Sequence, residues 1–171
     1  MNYLASFLRK NLYVDFCLPE LISICEMFKV KLEYDRNFSY DVRLDPLIHI
    51  NFPGIETTDI AQKICDRAVL TTSIIKLYSS GSSYEELINK LDKETFSKES
   101  QSEESFKFEV DARGSVLSQE EKLDIIEKFD VYNFKGKVDL KNPKRIFVVI
   151  DNHHRGMKYF GRRIAGKSDG K

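Results

Sequence analysis

The chain has 171 residues, 42% of them apolar, and its 27 basic and 27 acidic side chains give a formal net charge of zero. This length and composition suffice for one fair-sized globular domain or two small ones. No apolar run approaches the roughly 20 residues that span a bilayer, and the N-terminus lacks the basic-then-apolar pattern of a signal peptide. These observations argue against a membrane-spanning or secreted protein and predict the cytosol or nucleus, with a cytoplasmic location as the expectation.

The first 80 residues alternate between strand-like and helix-like patterns. Apolar and β-branched runs predict four strands, and apolar residues at helical spacing predict two helices. The order is strand, helix, strand, strand, helix, strand, the split βαβ pattern of ferredoxin-like α+β domains. The strands are expected at Tyr3 to Leu8, Val30 to Tyr34, Leu47 to Phe52 and Val69 to Tyr78, the helices around Leu18 to Phe28 and Ile60 to Cys65, and a polar loop at Asn37 to Asp45.

A second unit is predicted after a hinge at Ser79 to Ser83. Ser83 with Glu86, and Ser118 with Glu121, are spaced as capping boxes, which predict helices that begin at both serines. The polar low-complexity stretch between these helices, Ser97 to Glu104, is expected to be a mobile surface loop. Further strands are expected at Phe106 to Val110, Ile146 to Ile150 and Met157 to Ile164, and a frayed tail from Gly166.

The cysteines and histidines do not predict a metal site or a disulfide framework. Cys17, Cys25 and Cys65 make an odd count without a C-x-x-C pair, so small buried apolar positions are expected for them. His153 and His154 are adjacent in a predicted turn, where two neighbours rarely reach one metal, and no other ligand pair is close in sequence. We therefore expect no metal.

Basic side chains are concentrated in the last quarter of the chain. From Tyr132 onward there are eleven Lys or Arg against three acids, whereas residues 92–130 hold six against twelve and residues 1–91 ten against twelve. The segment from Phe134 onward joins a basic, proline-closed loop to the apolar run Ile146 to Ile150, which should be an interior strand covered on both faces. This asymmetry points to nucleic acid or another anionic surface. The alternative is a solvated lysine turn that precedes a core strand.

The basic loop carries a resemblance to a known family. Val138, Asp139, Leu140, Asn142 and Pro143 match the V-D-L-x-N-P turn of THUMP domains, the RNA-binding modules of several tRNA-modifying enzymes. The whole chain resembles the N-terminal region of the tRNA guanosine N2-methyltransferases that modify the guanosine at tRNA position 10, since six short segments match in the same order. They are Leu18 to Glu20, Asp59 to Ala61, Glu85 to Leu87, Leu117 to Lys122, Gly136 to Val138 and Tyr159 to Arg162.

The resemblance implies a ferredoxin-like domain over residues 1–80, an α/β THUMP domain over 81–165, and a tail or linker start over 166–171. Together the two domains would dock the acceptor stem and 3′ end of a tRNA for a C-terminal methyltransferase domain. We expect that catalytic domain to be absent here, because the chain has neither a G-x-G turn nor a Pro-Pro pair with which to build its S-adenosylmethionine site. We therefore expect no catalytic residue and no cofactor in this chain. S-adenosylmethionine and a small zinc-binding activator subunit would belong to the absent domain.

The RNA contacts are expected from cations that neutralise phosphates and from Tyr159, which would stack on an unpaired base. A core position is the alternative for Tyr159, and it is favoured for Phe160. The expected RNA-binding residues are Lys135, Lys137, Lys141, Lys144, Arg145, Arg155, Lys158, Tyr159, Arg162 and Arg163.

Two other functions stay open at this point. The first is a freestanding THUMP adaptor that presents RNA to a separate enzyme, and the second is a ferredoxin-like module that binds only protein. RNA affinity separates the second from the rest.

Overall fold

The computed structural model describes residues 2–8, 13–36, 46–54 and 58–167, and the predicted polar loop at Asn37 to Asp45 lies outside them. The protein is α+β, as predicted. The strands are β1 (Tyr3–Phe7), β2 (Glu33–Tyr34), β3 (Leu47–Asn51), β4 (Thr71–Gly81), β5 (Phe106–Arg113), β6 (Arg145–Asn152) and β7 (Met157–Gly166). The helices are α1 (Cys17–Met27), α2 (Thr58–Arg67), α3 (Tyr84–Asn89), α4 (Lys93–Gln101) and α5 (Gln119–Glu127), with short 3-10 turns at Val14–Phe16 and Asp130–Tyr132.

The chain folds into two compact units. The first comprises Met1–Lys76 and Arg163–Lys171, and the second comprises Leu77–Arg162. Strands β4 and β7 each contribute residues to both units.

The first unit is an antiparallel sheet with the strand order β2-β3-β1-β4. Strand β1 pairs with β3 on one side and with β4 on the other, and both pairings are antiparallel. Together with the chain order β1-α1-β2-β3-α2-β4, this strand order is the ferredoxin-like arrangement, which confirms the prediction.

The core of the first unit lies between this sheet and its two helices. Leu21 and Cys25 of α1 and Ile64 of α2 pack with Ala5 and Ile48 of the sheet. All three cysteines are free and buried, as predicted. Burial raises the pKa of the Cys25 thiol to about 11.

The second unit has the strand order β7-β6-β5 within its own residues. Strand β6 is the interior strand, antiparallel to β7 and parallel to β5, as the apolar run predicted. The core on its inner face is aromatic: the Phe129 and Phe160 rings are 4.5 Å apart, and Phe96 meets Phe160 edge to face at 5.3 Å. Helix α5 begins with the predicted capping box, in which Ser118 and Glu121 bond reciprocally to each other's backbone N–H groups.

Two segments predicted to be irregular are for the most part regular. The predicted hinge begins with Ser79, which instead lies inside β4, is buried, and donates its hydroxyl to the Leu87 carbonyl at 2.6 Å. The predicted mobile loop, Ser97 to Glu104, is for the most part helix α4. That helix begins where the Asp92 carboxylate accepts from the Glu94 amide, and it is held down by Phe96, which is 1% exposed. A single buried aromatic residue and a cap therefore outweigh a polar composition.

The chain end also differs from expectation. Gly166 is the last residue of β7, and its amide donates to Gln62 Oε1 at 3.3 Å. The Lys167 amide donates to the Thr72 carbonyl at 3.1 Å. Gly166 is therefore in strand β7, and both residues are held by hydrogen bonds and are not a frayed tail.

Candidate nucleic-acid interface

The basic loop, which we call the lysine segment (Lys135–Lys144), runs alongside β5 although it forms no helix or regular strand. The Lys137 carbonyl accepts from the Phe106 amide at 3.0 Å, and the Asp139 amide donates to the Phe106 carbonyl at 2.9 Å. Val138 thereby forms a parallel bridge with Phe106, at the start of β5. The middle of the segment is fixed to the edge strand of the second unit.

Both ends of the lysine segment are fixed as well. The Lys135 amide donates to the Ser100 carbonyl at the end of α4 at 2.9 Å, and the Lys144 amide donates to Ser105 Oγ at 3.0 Å. Because the backbone is held at its start, middle and end, the conformational entropy of the segment is reduced before any ligand binds.

The V-D-L-x-N-P turn has a physical explanation in Asp139. Its Oδ1 accepts from the backbone amides of Lys141 and Asn142, both at 3.0 Å, which folds the chain back in an Asx turn ahead of Pro143. These two hydrogen bonds lower the pKa of the Asp139 carboxyl below its ordinary value. The turn therefore favours the ionised form of the Asp139 carboxyl.

Position 136 requires glycine because the backbone there passes very close to Glu104 and Arg145. A Cβ at this position would overlap the Glu104 carbonyl oxygen and lie 2.9 Å from Arg145 Nη2. The absence of a side chain therefore allows the segment to pass against the loop that follows α4.

Four predicted RNA contacts of the lysine segment have the necessary exposure. Lys135, Lys137, Lys141 and Lys144 are all exposed. Within the part of the chain that the structure describes, none of the four forms an ion pair with an acidic side chain. The segment therefore presents four cations on a fixed backbone.

Arg145 is a correction to the predicted set, because its side chain is only 1% exposed. Its guanidinium donates to the carbonyl oxygens of Glu99, Ser102 at 3.3 Å and Glu104 at 2.6 Å. These carbonyls lie at the end of α4 and just after it, where helix carbonyls lack partners within the helix. Arg145 therefore caps α4 from inside the protein and does not face a phosphate.

The same guanidinium is enclosed by aromatic rings. It lies 5.6 Å from the Phe106 ring centre and 5.5 Å from that of Phe147, within the range of cation–π attraction. Arg145 is the first residue of β6 and shares a strand face with Phe147, which is why its side chain enters the aromatic core.

The cations at the other end of β6 are separated from the lysine segment. Eight residues lie between Arg145 and Asn152 inclusive, which at about 3.3 Å per residue places the two ends roughly 23 Å apart. Lys158 lies at the far end, where it pairs with Asp151 at 3.6 Å and covers the Tyr84 ring. Arg155 is half-buried there, and its Nη1 donates to the Tyr159 hydroxyl at 3.4 Å.

The two remaining arginines are partly buried. Arg162 pairs with Glu99 at 3.1 Å, and the same carboxylate accepts from the Tyr78 hydroxyl at 3.0 Å. Burial and the Glu99 carboxylate raise the pKa of Tyr78 well above its ordinary value. Arg163 belongs to the first unit.

The predicted aromatic contact is not accessible. Tyr159 is 4% exposed and Phe160 is 0% exposed, so neither presents a ring face to a base in this structure. The core positions weighed as the alternative are therefore what the structure shows for both.

The second unit has an apolar groove that was not predicted from the sequence. It lies between β5, α5 and the lysine segment, and its volume is about 730 Å³. Large apolar side chains rim it, among them Leu123 at 58% exposed and Leu140 at 74% exposed. One sequence signal could have predicted the groove: Gly136, Val138 and Leu140 alternate with charged residues, which is typical of a segment with one apolar face. The groove is lined by Phe106, Phe108, Leu123, Phe129, Val138 and Leu140 with their neighbours.

Other site classes find no support in the described ranges. The residues placed by the structure contain no group of three or more His, Cys, Asp or Glu side chains arranged to hold a metal. Among the helices of the described residues, none has the length and apolar character needed to cross a bilayer.

Known proteins resemble the chain over most of its length. The human tRNA (guanine(10)-N(2))-methyltransferase TRMT11 is 28% identical over 165 residues, which cover 90% of this chain and 34% of that protein. The Saccharomyces cerevisiae tRNA (guanine(10)-N(2))-methyltransferase is 25% identical over 169 residues, which cover 90% of this chain and 37% of that protein. The chain thus spans about a third of the length of the curated relatives it matches.

Solved structures show the same fold. PH1313 from Pyrococcus horikoshii Ot3 superposes with a TM-score of 0.57 at 19% identity, covering 97% of this chain and 56% of that one. TrmN from Thermus thermophilus superposes with a TM-score of 0.56 at 16% identity, covering 95% of this chain and 45% of TrmN. The model of one protein family, described as the Tmrp11 THUMP N-terminal domain, matches residues 1–166. The chain therefore belongs to the Tmrp11 THUMP N-terminal domain family.

Proposed function

We propose that this chain binds tRNA and is the substrate-docking region of a tRNA guanosine N2-methyltransferase. One observation carries the proposal: Lys135, Lys137, Lys141 and Lys144 are exposed on a backbone that hydrogen bonds hold at its start, middle and end. Family membership and the activity named for the relatives, tRNA (guanine(10)-N(2)) methylation, support the choice of tRNA as the polyanion.

The proposed contact is electrostatic and follows the phosphate backbone. Lysine is a flexible point charge that neutralises phosphates without reading base edges. Because the segment is already ordered, binding immobilises mainly the lysine side chains, at about 0.5–1.5 kcal/mol each. The lysines would follow the acceptor stem and the single-stranded 3′ end.

The cations at the Asn152 end of β6, Arg155 and Lys158, contribute less to the proposed contact; we call them the far-end cations. Lys158 and Arg155 are half-buried and lie roughly 23 Å from the lysine segment along β6. A tRNA stem is long enough to contact both ends, but Lys158 would first have to leave Asp151. We therefore assign the principal footprint to the four lysines, exclude Arg145 and Tyr159, and leave Arg155, Lys158, Arg162 and Arg163 as peripheral.

The chemistry belongs to a part of the enzyme that this chain does not contain. We propose that the S-adenosylmethionine site and the surface for a small zinc-binding activator subunit lie there, and that the enzyme is cytoplasmic. Within the chain, we propose a ferredoxin-like domain over 1–80 and a THUMP domain over 81–165. We propose that the linker begins within 166–171, after Gly166 and Lys167, whose amides bond to the first unit.

Filter binding of a tRNA transcript to the 171-residue chain tests this function. We expect saturable binding that weakens when the unpaired 3′ nucleotides are removed and weakens again for duplex DNA of equal length. A protein that binds none of these nucleic acids would be the protein-only module, and the tRNA proposal would be wrong.

A further inference from the structure

The apolar groove has the composition of a protein-binding site and not of an RNA-binding site. Among the described residues that line it, Asp130 alone is charged, and its carboxylate repels phosphate. Its aromatic residues are already packed against one another: the ring centres of Phe106 and Phe108 are 6.0 Å apart, and those of Phe108 and Phe129 are 5.6 Å apart. They form a floor and not free stacking platforms.

One wall of the groove is acidic. Residues 119–132 carry five acidic and two basic side chains. Glu120 and Glu127 stand three residues before and four after Leu123, on the same side of α5, and both are exposed. Cations of an occupant would be attracted to this wall, whereas phosphates beside it would be repelled, in contrast to the lysine segment on another side of the groove.

The size and rim of the groove suit several large apolar side chains. A volume of about 730 Å³ lies within the roughly 300–1,000 Å³ of pockets that enclose specific ligands. Leu123 and Leu140 at the rim are exposed aliphatic residues, as is common where apolar anchors of a helix enter a groove at positions i, i+3 or i+4, and i+7.

We propose that the apolar groove docks a protein partner through an amphipathic segment, whose large apolar side chains enter the groove while its Lys or Arg residues face Asp130, Glu127 and Glu120. The site is separate from the proposed RNA contact. Gly136, Val138 and Leu140 line the groove, whereas the exposed lysines at 135, 137 and 141 occupy the alternate positions. Two faces of one segment thus serve two classes of ligand.

The probe for this proposal is a synthetic amphipathic peptide of about 18 residues, five helical turns, with Leu on one face and Lys beside it. Titrated into the ¹⁵N-labelled 171-residue chain, it should shift the amide signals of Leu123, Val138 and Leu140 saturably. Two matched peptides serve as controls, one with Glu in place of Lys and one with Ser in place of Leu. Each should bind with an affinity at least roughly tenfold lower, a difference in binding free energy of ~1.4 kcal/mol or more.

Variants of the chain separate this site from the RNA contact. Leu140→Ser and Asp130→Lys should each weaken the Leu/Lys peptide roughly tenfold without changing the melting temperature, since both positions are exposed. Lys137→Gln should leave peptide binding unchanged. An oligoribonucleotide of about 12 nucleotides, within the site size of single-strand-binding folds, should shift the lysine signals and not the groove.

Three results would each overturn the proposal. The first is no saturable shift with peptide up to about 1 mM, a concentration that corresponds to a binding free energy of only about −4 kcal/mol. The second is equal binding of the Lys and Glu peptides. The third is an oligoribonucleotide that displaces the peptide from the groove, which would assign the groove to RNA.

Discussion

Replacement of Arg145 by Met separates structural cations from RNA-binding ones. The substitution keeps an unbranched side chain of similar length but removes the donors to the carbonyls of Glu99, Ser102 and Glu104. A buried acceptor left without a donor costs about 1–3 kcal/mol. The guanidinium also pairs with the Glu99 carboxylate at 3.4 Å, and removing one partner of a buried ion pair costs roughly 3–5 kcal/mol. Because Met still fills space beside Phe106 and Phe147, we expect the lower part of that range.

The expected loss is large for a domain of this size. At about 3 kcal/mol, and with roughly 4–8 °C per kcal/mol for domains of 60–100 residues, the second unit should melt at least about 12 °C earlier. The assay is thermal unfolding followed by circular dichroism, with Lys144→Gln as the matched control. That neighbour is exposed and should melt within a degree or two of the parent.

Affinity for tRNA completes the comparison. Well below its lowered melting temperature, Arg145→Met should bind tRNA with an unchanged salt dependence, whereas Lys144→Gln should bind more weakly. If Arg145→Met melts like the parent and loses tRNA affinity, the guanidinium is a contact residue and the structural assignment is refuted.

Three further predictions concern the lysine segment and the buried thiols. Gly136→Ala should destabilise the second unit by about 1–3 kcal/mol through overpacking against Glu104, seen as a lower melting temperature that Lys137→Ala does not share; equal melting would show that the segment yields easily. Since Asp139 has a lowered pKa in the folded protein, the two hydrogen bonds of its turn should keep their strength at pH values above the ordinary pKa of 3.8 and weaken only as the pH falls through the lower folded value. A titration midpoint at or above 3.8 in the Lys141 and Asn142 amide shifts would contradict this. Burial raises the pKa values of Cys25 and Cys65 to about 11 and 12, so at pH 8 the folded chain should react with a thiol reagent many times more slowly than the unfolded chain, and equal rates would show exposed thiols.

The ferredoxin-like unit was predictable because its signals are periodic. Helices α1 and α2 repeat apolar residues at helical spacing, and β1, β3 and β4 are apolar or β-branched runs. Helix α4 was missed because its composition is polar and its buried residues are few: among them, Phe96 alone is aromatic. Its identity as a helix depends on a tertiary contact that no local pattern contains.

The position of Arg145 could not be predicted from charge. In sequence it is the last of five basic residues in the loop, and only its strand face separates it from the four lysines. That face was hidden because Ile146 to Ile150 is apolar at every position, so no alternation marks inside from outside. The far-end cations were grouped with the loop for a similar reason, since β6 separates them in space by roughly 23 Å although few residues separate them in sequence.

The apolar groove was missed because its lining comes from three separate segments. Leu123 belongs to α5, Phe108 to β5, and Leu140 to the lysine segment. Each exposed apolar residue is unremarkable by itself, and only the fold brings them to one place.

The salt dependence of tRNA binding tests the central assignment most directly. Each lysine that neutralises a phosphate should contribute roughly 0.7–0.9 to the slope of log affinity against log salt. The variant with Gln at positions 135, 137, 141 and 144 should therefore show a slope about 2.8–3.6 smaller in magnitude than the parent, at an unchanged melting temperature. An unchanged slope in this variant would contradict the account, because the phosphates would then be held by other residues.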